Sequence, residues 1–315
     1  MTPTHPLPDD IATMTKNVKI YSEPHILVTT SQSIVRIDPR SQGNATVIEA
    51  GRGLYYGLAP TTNDTMWIGA RHSQVSDDID SADEAGRLYE LHAAGANKAI
   101  KPDHPLRDLH GMAMHRDCIW LTCSYDDAVA IYRPASQTWS RWHPLEVNED
   151  SQPDQYHFNT LLFEGDLVWV LAHCRGPSWL LAFSIDAALD GRTTPPVKRV
   201  QLGVQAHNIW RHTDGTLCTC SSGEGKLISE SGWELLTGGF PRGVSRLPDG
   251  WVVGVSELKE RNERDFSDAK LLFYDTDWQL LNEVVLPKVG MVLDIATIPA
   301  GLQLPHVDAL PLAAS

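Results

Sequence analysis

Short apolar runs alternate with polar turns along most of this chain, and one phrase recurs. A brief apolar strand leads through a tight turn into a second strand built around an aromatic or aliphatic pair. Tyr56–Pro60 leads to Met66–Ile68, and His110–Met114 leads to Ile119–Leu121. Asn159–Phe163 leads to Val168–Val170, Asn208–His212 to Leu217–Thr219, and Arg242–Arg246 to Trp251–Val253. The intervening turns carry Asn63-Asp64, Arg116-Asp117, Glu164–Asp166, Asp214-Gly215 and Asp249-Gly250, residue types that tolerate hairpin backbone angles. A third apolar strand follows most copies: Gly86–Leu91, Ala128–Tyr132, Trp179–Phe183 and Lys270–Tyr274.

Repeats of about 40–50 residues, each holding four short strands, predict propeller blades. Five copies account for five blades, and the sixth is divided between the chain ends. Val292–Ile298 reads as an innermost strand with nothing after it, while Ile26–Thr30 and Ser33–Ile37 read as outer strands lacking an inner partner. Pairing them closes the ring and removes its exposed edges. The expected fold is all-β, a six-bladed β-propeller forming one domain over residues 20–304, between tails at 1–19 and 305–315. Over residues 20–300 the blade pattern resembles the broad superfamily of six-bladed propellers that includes the gluconolactonase and strictosidine-synthase types.

Charge narrows the partners. Against 26 Lys and Arg stand 40 Asp and Glu, a formal net charge of −14 over 315 residues. Nucleic acid and anionic membrane surfaces need clustered basic side chains, so neither is an expected partner. Residues 1–19 carry Pro3, Pro6, Pro8, Asp9 and Asp10 and no apolar run of the signal-peptide kind. No segment approaches the roughly 20 apolar residues of a spanning helix. The five cysteines, an odd number without a secretory signal, fit a reducing cytoplasm, the expected location. Cys218 and Cys220 share one face of a strand and read as small buried residues rather than half of a zinc site.

In a propeller the connections entering the innermost strands and those between the second and third strands lie on one face. The long insertions, at residues 72–85, 173–178 and 257–268, are all of the second kind. They gather where the innermost strands begin, the usual place for a site on a rigid scaffold. At that level the blades present Tyr56, His110, His157 with Asn159, His207 with Asn208, Arg242 and Asp294 to the central channel. Neutral imidazoles are common transition-metal ligands. His110, His157 and His207 are therefore candidate ligands for a divalent Fe, Cu, Mn or Zn ion, with positions left for water or substrate. The bland alternative is that each is a hydrogen-bonded strand residue. His72, His173 and Glu257 leave the second strands on the same face. His72 and His173, with Asp294, are candidate proton-transfer groups. Arg242 and Arg71 suit a carboxylate clamp, with the alternative that Arg242 only neutralises Asp294. Tyr56, Asn159, Asn208, Trp210 and Glu257 are expected to shape the substrate pocket.

The chain contains no G-x-G-x-x-G after a strand, no phosphate loop, no G-x-S-x-G and no H-E-x-x-H, which sets aside nucleotide-dependent and nucleophile-elbow chemistry. The gluconolactonase type holds a divalent cation with Glu, Asn and Asp from separate inner strands. That resemblance implies parts for Asn159, Asn208 and Asp294, whereas no first-blade Glu matches and the histidines depart from the pattern. The expected function is a metal-dependent enzyme acting on a small polar or carboxylated organic molecule by hydrolysis, elimination or oxygenation. Two alternatives stand beside it: a metal-free module that binds a peptide or protein, and a metal-free lyase or isomerase using His and Asp as acid and base.

Overall fold

The structure of the protein, a computed structural model, describes residues 25–37, 45–61, 65–77, 79–92, 97–147 and 152–298. The expected tails at 1–19 and 305–315 and the Asn63-Asp64 turn lie outside them. The described strands form six four-stranded antiparallel sheets arranged as the blades of a propeller. Numbered in chain order, blades I to V have innermost strands Tyr55–Pro60, Leu109–His115, Phe158–Glu164, Ala206–Arg211 and Phe240–Leu247. Blade VI is the divided one. Val292–Ile298 lies innermost, and His25–Thr30, Ser33–Ile37 and Ala45–Ala50 follow outwards. The closing ladder runs antiparallel, with Ile26 opposite Thr297 and Val28 opposite Ile295. Outside this plan lies one five-residue helix, Ile185–Leu189 in blade III, capped by the Ser184 side chain.

Both faces of each sheet are buried, which explains runs that are apolar throughout rather than at alternate positions. Alternation still decides which neighbour a side chain meets. In blade VI, Ile26 and Val28 pack with Val252, Leu271 and Phe273 of blade V, while Leu27 between them packs with Tyr55, Leu58 and Met66 of blade I. In blades I to III the tryptophan of the second strand faces the next blade: Trp67 meets blade II, Trp120 blade III and Trp169 blade IV. Six apolar clusters fill the six clefts between blades, so the core is a ring of wedges around an axis left to other side chains. Cys218 and Cys220 are both fully buried in the wedge between blades IV and V.

Hydroxyls at the ends of second strands add polar staples between blades. Ser124 Oγ donates to the Phe158 carbonyl (2.6 Å) and Ser222 Oγ to the Pro241 carbonyl (2.7 Å). Ser256 Oγ accepts from the Val292 amide at 2.9 Å. Each staple fixes the chain where it turns into an innermost strand. No helix among the described residues is long and apolar enough to cross a membrane.

The innermost strands approach so closely that a side chain is excluded at some points. A Cβ at Gly111 would stand 2.2 Å from the Asn159 carbonyl oxygen of the next blade. Gly111→Ala is therefore expected to destabilise the fold by about 2–3 kcal/mol through overpacking. Gly165→Ala, at an open turn with φ +57°, is expected to lose about 1 kcal/mol, from backbone strain alone. Urea denaturation of the two variants beside the parent checks the order.

Candidate active site

Every innermost strand carries a β-bulge at the same height. The ladder to the second strand slips at Tyr56–Gly57, His110, Asn159, Asn208, Arg242–Gly243 and Leu293. A bulge inserts a residue, bends the strand and re-aims a side chain. Six at one level turn the start of each innermost strand towards the axis. They enclose a cavity of about 180 Å³ lined by His110, Asn159, His207, Asn208, Arg242 and Asp294, with Leu161, Ile209 and Val244 among its apolar walls.

Six side chains from five blades form a closed circuit, and three of them, His110, His207 and Arg242, line this cavity. The Tyr56 ring lies 4.7 Å from His110 between centroids, His110 4.5 Å from His157, His157 4.8 Å from His173, and His173 5.1 Å from His207. The Arg242 guanidinium donates to Nε2 of His207 and reaches back to the Tyr56 hydroxyl at 3.4 Å, closing the loop.

Hydrogen-bond partners fix the tautomers. His110 Nδ1 donates to the Asp108 carbonyl at 2.9 Å, and His157 Nδ1 donates to Asp154 Oδ1 at 2.5 Å. The Ser222 hydroxyl spends its proton on Pro241, so it accepts from His207 Nδ1 at 2.8 Å. In all three rings Nε2 therefore carries the lone pair. His173 is inverted: its Nδ1 accepts the Arg175 amide at 3.1 Å, which leaves Nε2–H as a donor.

Several of these supports have no strong sequence signal. Asp127 accepts three successive amides, of Gln155, Tyr156 and His157, at 2.7–3.0 Å, and so clamps the loop that delivers His157. Asp108 pairs with Arg71 at 2.7 Å and lies 3.4 Å from His110 Nδ1. Glu84, on the blade I insertion, also pairs with Arg71 and accepts the Asp108 amide at 2.8 Å. Only the short spacings Asp108-x-His110 and Asp154-x-x-His157 could have drawn attention to these carboxylates, which otherwise look like loop polarity.

Burial dominates the electrostatics. It drives His110 and His207 well below the ordinary imidazole range, with His157 and Arg71 adding to the effect at His110 and the adjoining Arg242 at His207. Burial and the neighbouring His157 and Arg242 push His173 down to about 3. His157 is lowered by burial, Arg242 and Arg71 against the pull of Asp108. Asp108 goes the other way. Burial opposes its charge, but His110, Arg71 and His157 outweigh that and hold it down at about 2. Desolvation pushes Asp294, half-buried on the cavity wall, up to about 7, against bonds from the Ile295 amide and the Asn208 side chain.

The sequence-derived set separates on this frame. His110, His157, His173, His207, Arg242 and Tyr56 meet in the circuit, and Asn159, Asn208 and Asp294 line the cavity beneath. His207 differs from the other two candidate ligands, because its lone pair faces a guanidinium. The described group able to hold an ion is Asp108, His110 and His157, whose ligand atoms lie within 4.8 Å of one another. Arg242 makes no ion pair with Asp294, and Arg71 is neutralised by Glu84 and Asp108 rather than free for substrate. Trp210 turns away from the axis into the wedge between blades IV and V, because the bulge at Asn208 sets the parity of the residues after it. His72 is exposed and bonds Tyr89, and Glu257 is exposed and pairs with Lys259 at 3.2 Å, so neither joins the circuit.

No protein-family model and no curated protein matches the chain. Solved structures do. A chain of a nidogen/laminin complex is similar at a TM-score of 0.62 and 11% identity, covering 87% of this chain and 97% of that one. A putative 6-phosphogluconolactonase from Bacteroides fragilis is similar at 0.51 and 10%, over 87% and 97%. A streptogramin B lyase is similar at 0.50 and 10%, over 91% and 98%. At these identities the likeness is one of fold, and the propeller is shared.

The neutral imidazoles imply acid sensitivity. Below about pH 6.5 the unfolded chain binds protons that the folded histidines refuse, so their contribution is full above that pH and lost as pH falls. Asp294 has the opposite sign: between its ordinary 3.8 and about 7 the folded chain keeps a proton the unfolded chain has released. Its contribution is lost as pH rises through about 7. Unfolding free energy is expected to fall on acidification by about 1.4 kcal/mol per pH unit for each such imidazole. Asp294→Asn should steepen that slope by one increment and His173→Gln should flatten it by one, read from urea denaturation between pH 5.5 and 8.

Proposed function

We propose that the protein is an enzyme acting on a small anionic organic molecule, a carboxylate above all, bound in the axial cavity. The observation that carries this reading is Arg242. Its side chain is only 6% exposed, its Nε finds no acceptor, and no carboxylate pairs with it among the described residues. A buried cation without a counter-ion is unfavourable unless a ligand supplies one. Arg71, whose guanidinium lies 5.5 Å from the Tyr56 ring as that of Arg242 lies 5.7 Å from it, shows the contrast, because two carboxylates hold it. The fold leaves open the choice between enzyme and binding module, since the similar structures include a nidogen/laminin complex as well as enzymes. A circuit of neutral imidazoles above a titrating acid favours chemistry over display.

The roles follow from the tautomers. Arg242 and the Tyr56 hydroxyl seat the anion. His173 Nε2–H donates a hydrogen bond towards the bound molecule. His110 and His157, held by Asp108 and Asp154 through Nδ1, offer Nε2 as proton acceptors. Asp294, poised near neutral pH on the cavity wall, gives or takes a proton, the balance a general acid–base catalyst needs. Asn159 and Asn208 complete the polar side of the floor.

Asp108, His110 and His157 also fit a divalent transition metal. Two neutral imidazoles and one carboxylate are a recurrent ligand set. The Asp108 carboxylate lies 3.4 Å from His110 Nδ1 and 3.8 Å from His157 Nδ1, so an ion shared by the three would take the place of the Nδ1 protons. Fe, Cu, Mn or Zn held there would supply Lewis acidity. His207 is outside this set because Arg242 occupies its lone pair. We further place the protein in a reducing cytoplasm, on the strength of its five free cysteines.

Elemental mass spectrometry on protein purified without a polyhistidine tag tests the metal part. Near-stoichiometric metal is expected in the parent and in His207→Ala, with loss in His157→Ala. Metal retained by His157→Ala contradicts the ligand set. No metal in the parent after reconstitution leaves the acid–base reading standing without it.

A further inference from the structure

Two of the long insertions meet above blade VI, away from the histidine circuit. A 3-10 turn in the blade I insertion, Val75–Asp77, packs on one in the blade V insertion, Arg261–Phe266. Asp265 sits at the centre of the junction with no exposed surface. Its Oδ2 accepts the Ser76 amide at 2.8 Å and its carbonyl accepts Gln32 Nε2 at 2.7 Å, but Oδ1 is buried without a partner. No Lys, Arg or His pairs with this carboxylate among the described residues.

A second oxygen beside it is in the same condition. Gln74 Nε2 donates to the Ser31 carbonyl at 3.0 Å, which fixes the orientation of the amide. Its Oε1 is then left buried with no donor. Ser31 and Asp265 are immediate neighbours: a Cβ at Gly290 would touch the Asp265 carbonyl oxygen at 2.6 Å and Ser31 Cβ at 2.5 Å. Two buried oxygens without donors thus belong to neighbouring residues where two loops from different blades join, Gln74 standing two positions before the Ser76 whose amide Asp265 accepts. Nothing among the described residues compensates them.

We propose that this junction binds a hard divalent cation of the calcium class, with Asp265 Oδ1 and Gln74 Oε1 as its protein ligands and water completing the shell. The donors are all oxygen, a carboxylate and an amide, which suits calcium or magnesium and not the softer ions that seek imidazole or thiolate. The site is independent of the axial group. Its consequence reaches the axis nonetheless, because the blade I insertion also carries Glu84, which holds Arg71 and the Asp108 backbone. A bound cation would pin the two insertions together and steady that support.

The test is calcium titration of chelator-treated full-length protein, by calorimetry and by thermal unfolding. Calcium is expected to raise the Tm of the parent by several degrees, Gln74→Ala to weaken binding by about tenfold or more, and Asp265→Asn to abolish it. In chelator, Asp265→Asn should be at least as stable as the parent, since it removes an uncompensated carboxylate. His157→Ala should keep the calcium response, which separates this site from the axial one whatever the fate of the proposed activity. The proposal is overturned if neither calcium nor magnesium shifts the parent, or if the response survives Asp265→Asn. Should Asp265→Asn fail to fold, unchanged affinity in Gln74→Ala overturns it alone.

Discussion

Every blade of this protein has two apolar faces, and a sheet with two apolar faces must have a neighbour on each side. That requirement makes closure of the ring the condition for everything else. The ladder between Val292–Ile298 and His25–Thr30 meets it with residues from opposite ends of the chain. Ile26 and Val28 then cover blade V while Leu27 covers blade I. The closed ring also holds the innermost strands close enough for glycine to be needed at their contacts. Six bulges at one height can therefore present a common circle of side chains.

The circle sets imidazoles and a guanidinium where apolar wedges exclude water on every side. Desolvation keeps the histidines neutral, and the carboxylates beside them act on orientation rather than on charge. Asp154 and the Asp108 carbonyl fix Nδ1–H of His157 and His110, and Ser222 does the same for His207. Asp108 itself is balanced by Arg71, which Glu84 shares. Of the two arginines that flank Tyr56, Arg71 has carboxylate partners and Arg242 has none among the described residues. That unmatched cation is what the proposed anion would complete.

Much of the fold was legible in the sequence, because a repeated phrase of apolar strand, polar turn and aromatic strand has few architectures open to it. The divided sixth blade could be read for the same reason: Val292–Ile298 lacked an outer partner and Ile26–Thr30 an inner one. The site was legible as a level rather than as a set of contacts. Tyr56, His110, His157, His207 and Arg242 share that level, and the structure joins them. Parity was not legible, since a bulge is invisible in a pattern of period two. The bulge at Asn208 sends Trp210 into the core, and the irregular loop after Ala70 sends His72 to Tyr89 at the rim. Asp108, Asp127 and Glu84 went unread because acidic loop residues in an acidic protein look like solvation, and only their burial marks them as supports.

The central claim is that Arg242 awaits an anion, and calorimetric titration with oxalate tests it most directly. Oxalate is a compact dicarboxylate suited to a small cavity. The account predicts one molecule bound per chain, with binding lost in Arg242→Gln while the fold, followed by thermal unfolding, is kept. No binding to the parent, or undiminished binding to Arg242→Gln, would mean that Arg242 is only a structural brace between Tyr56 and His207, and would contradict the account.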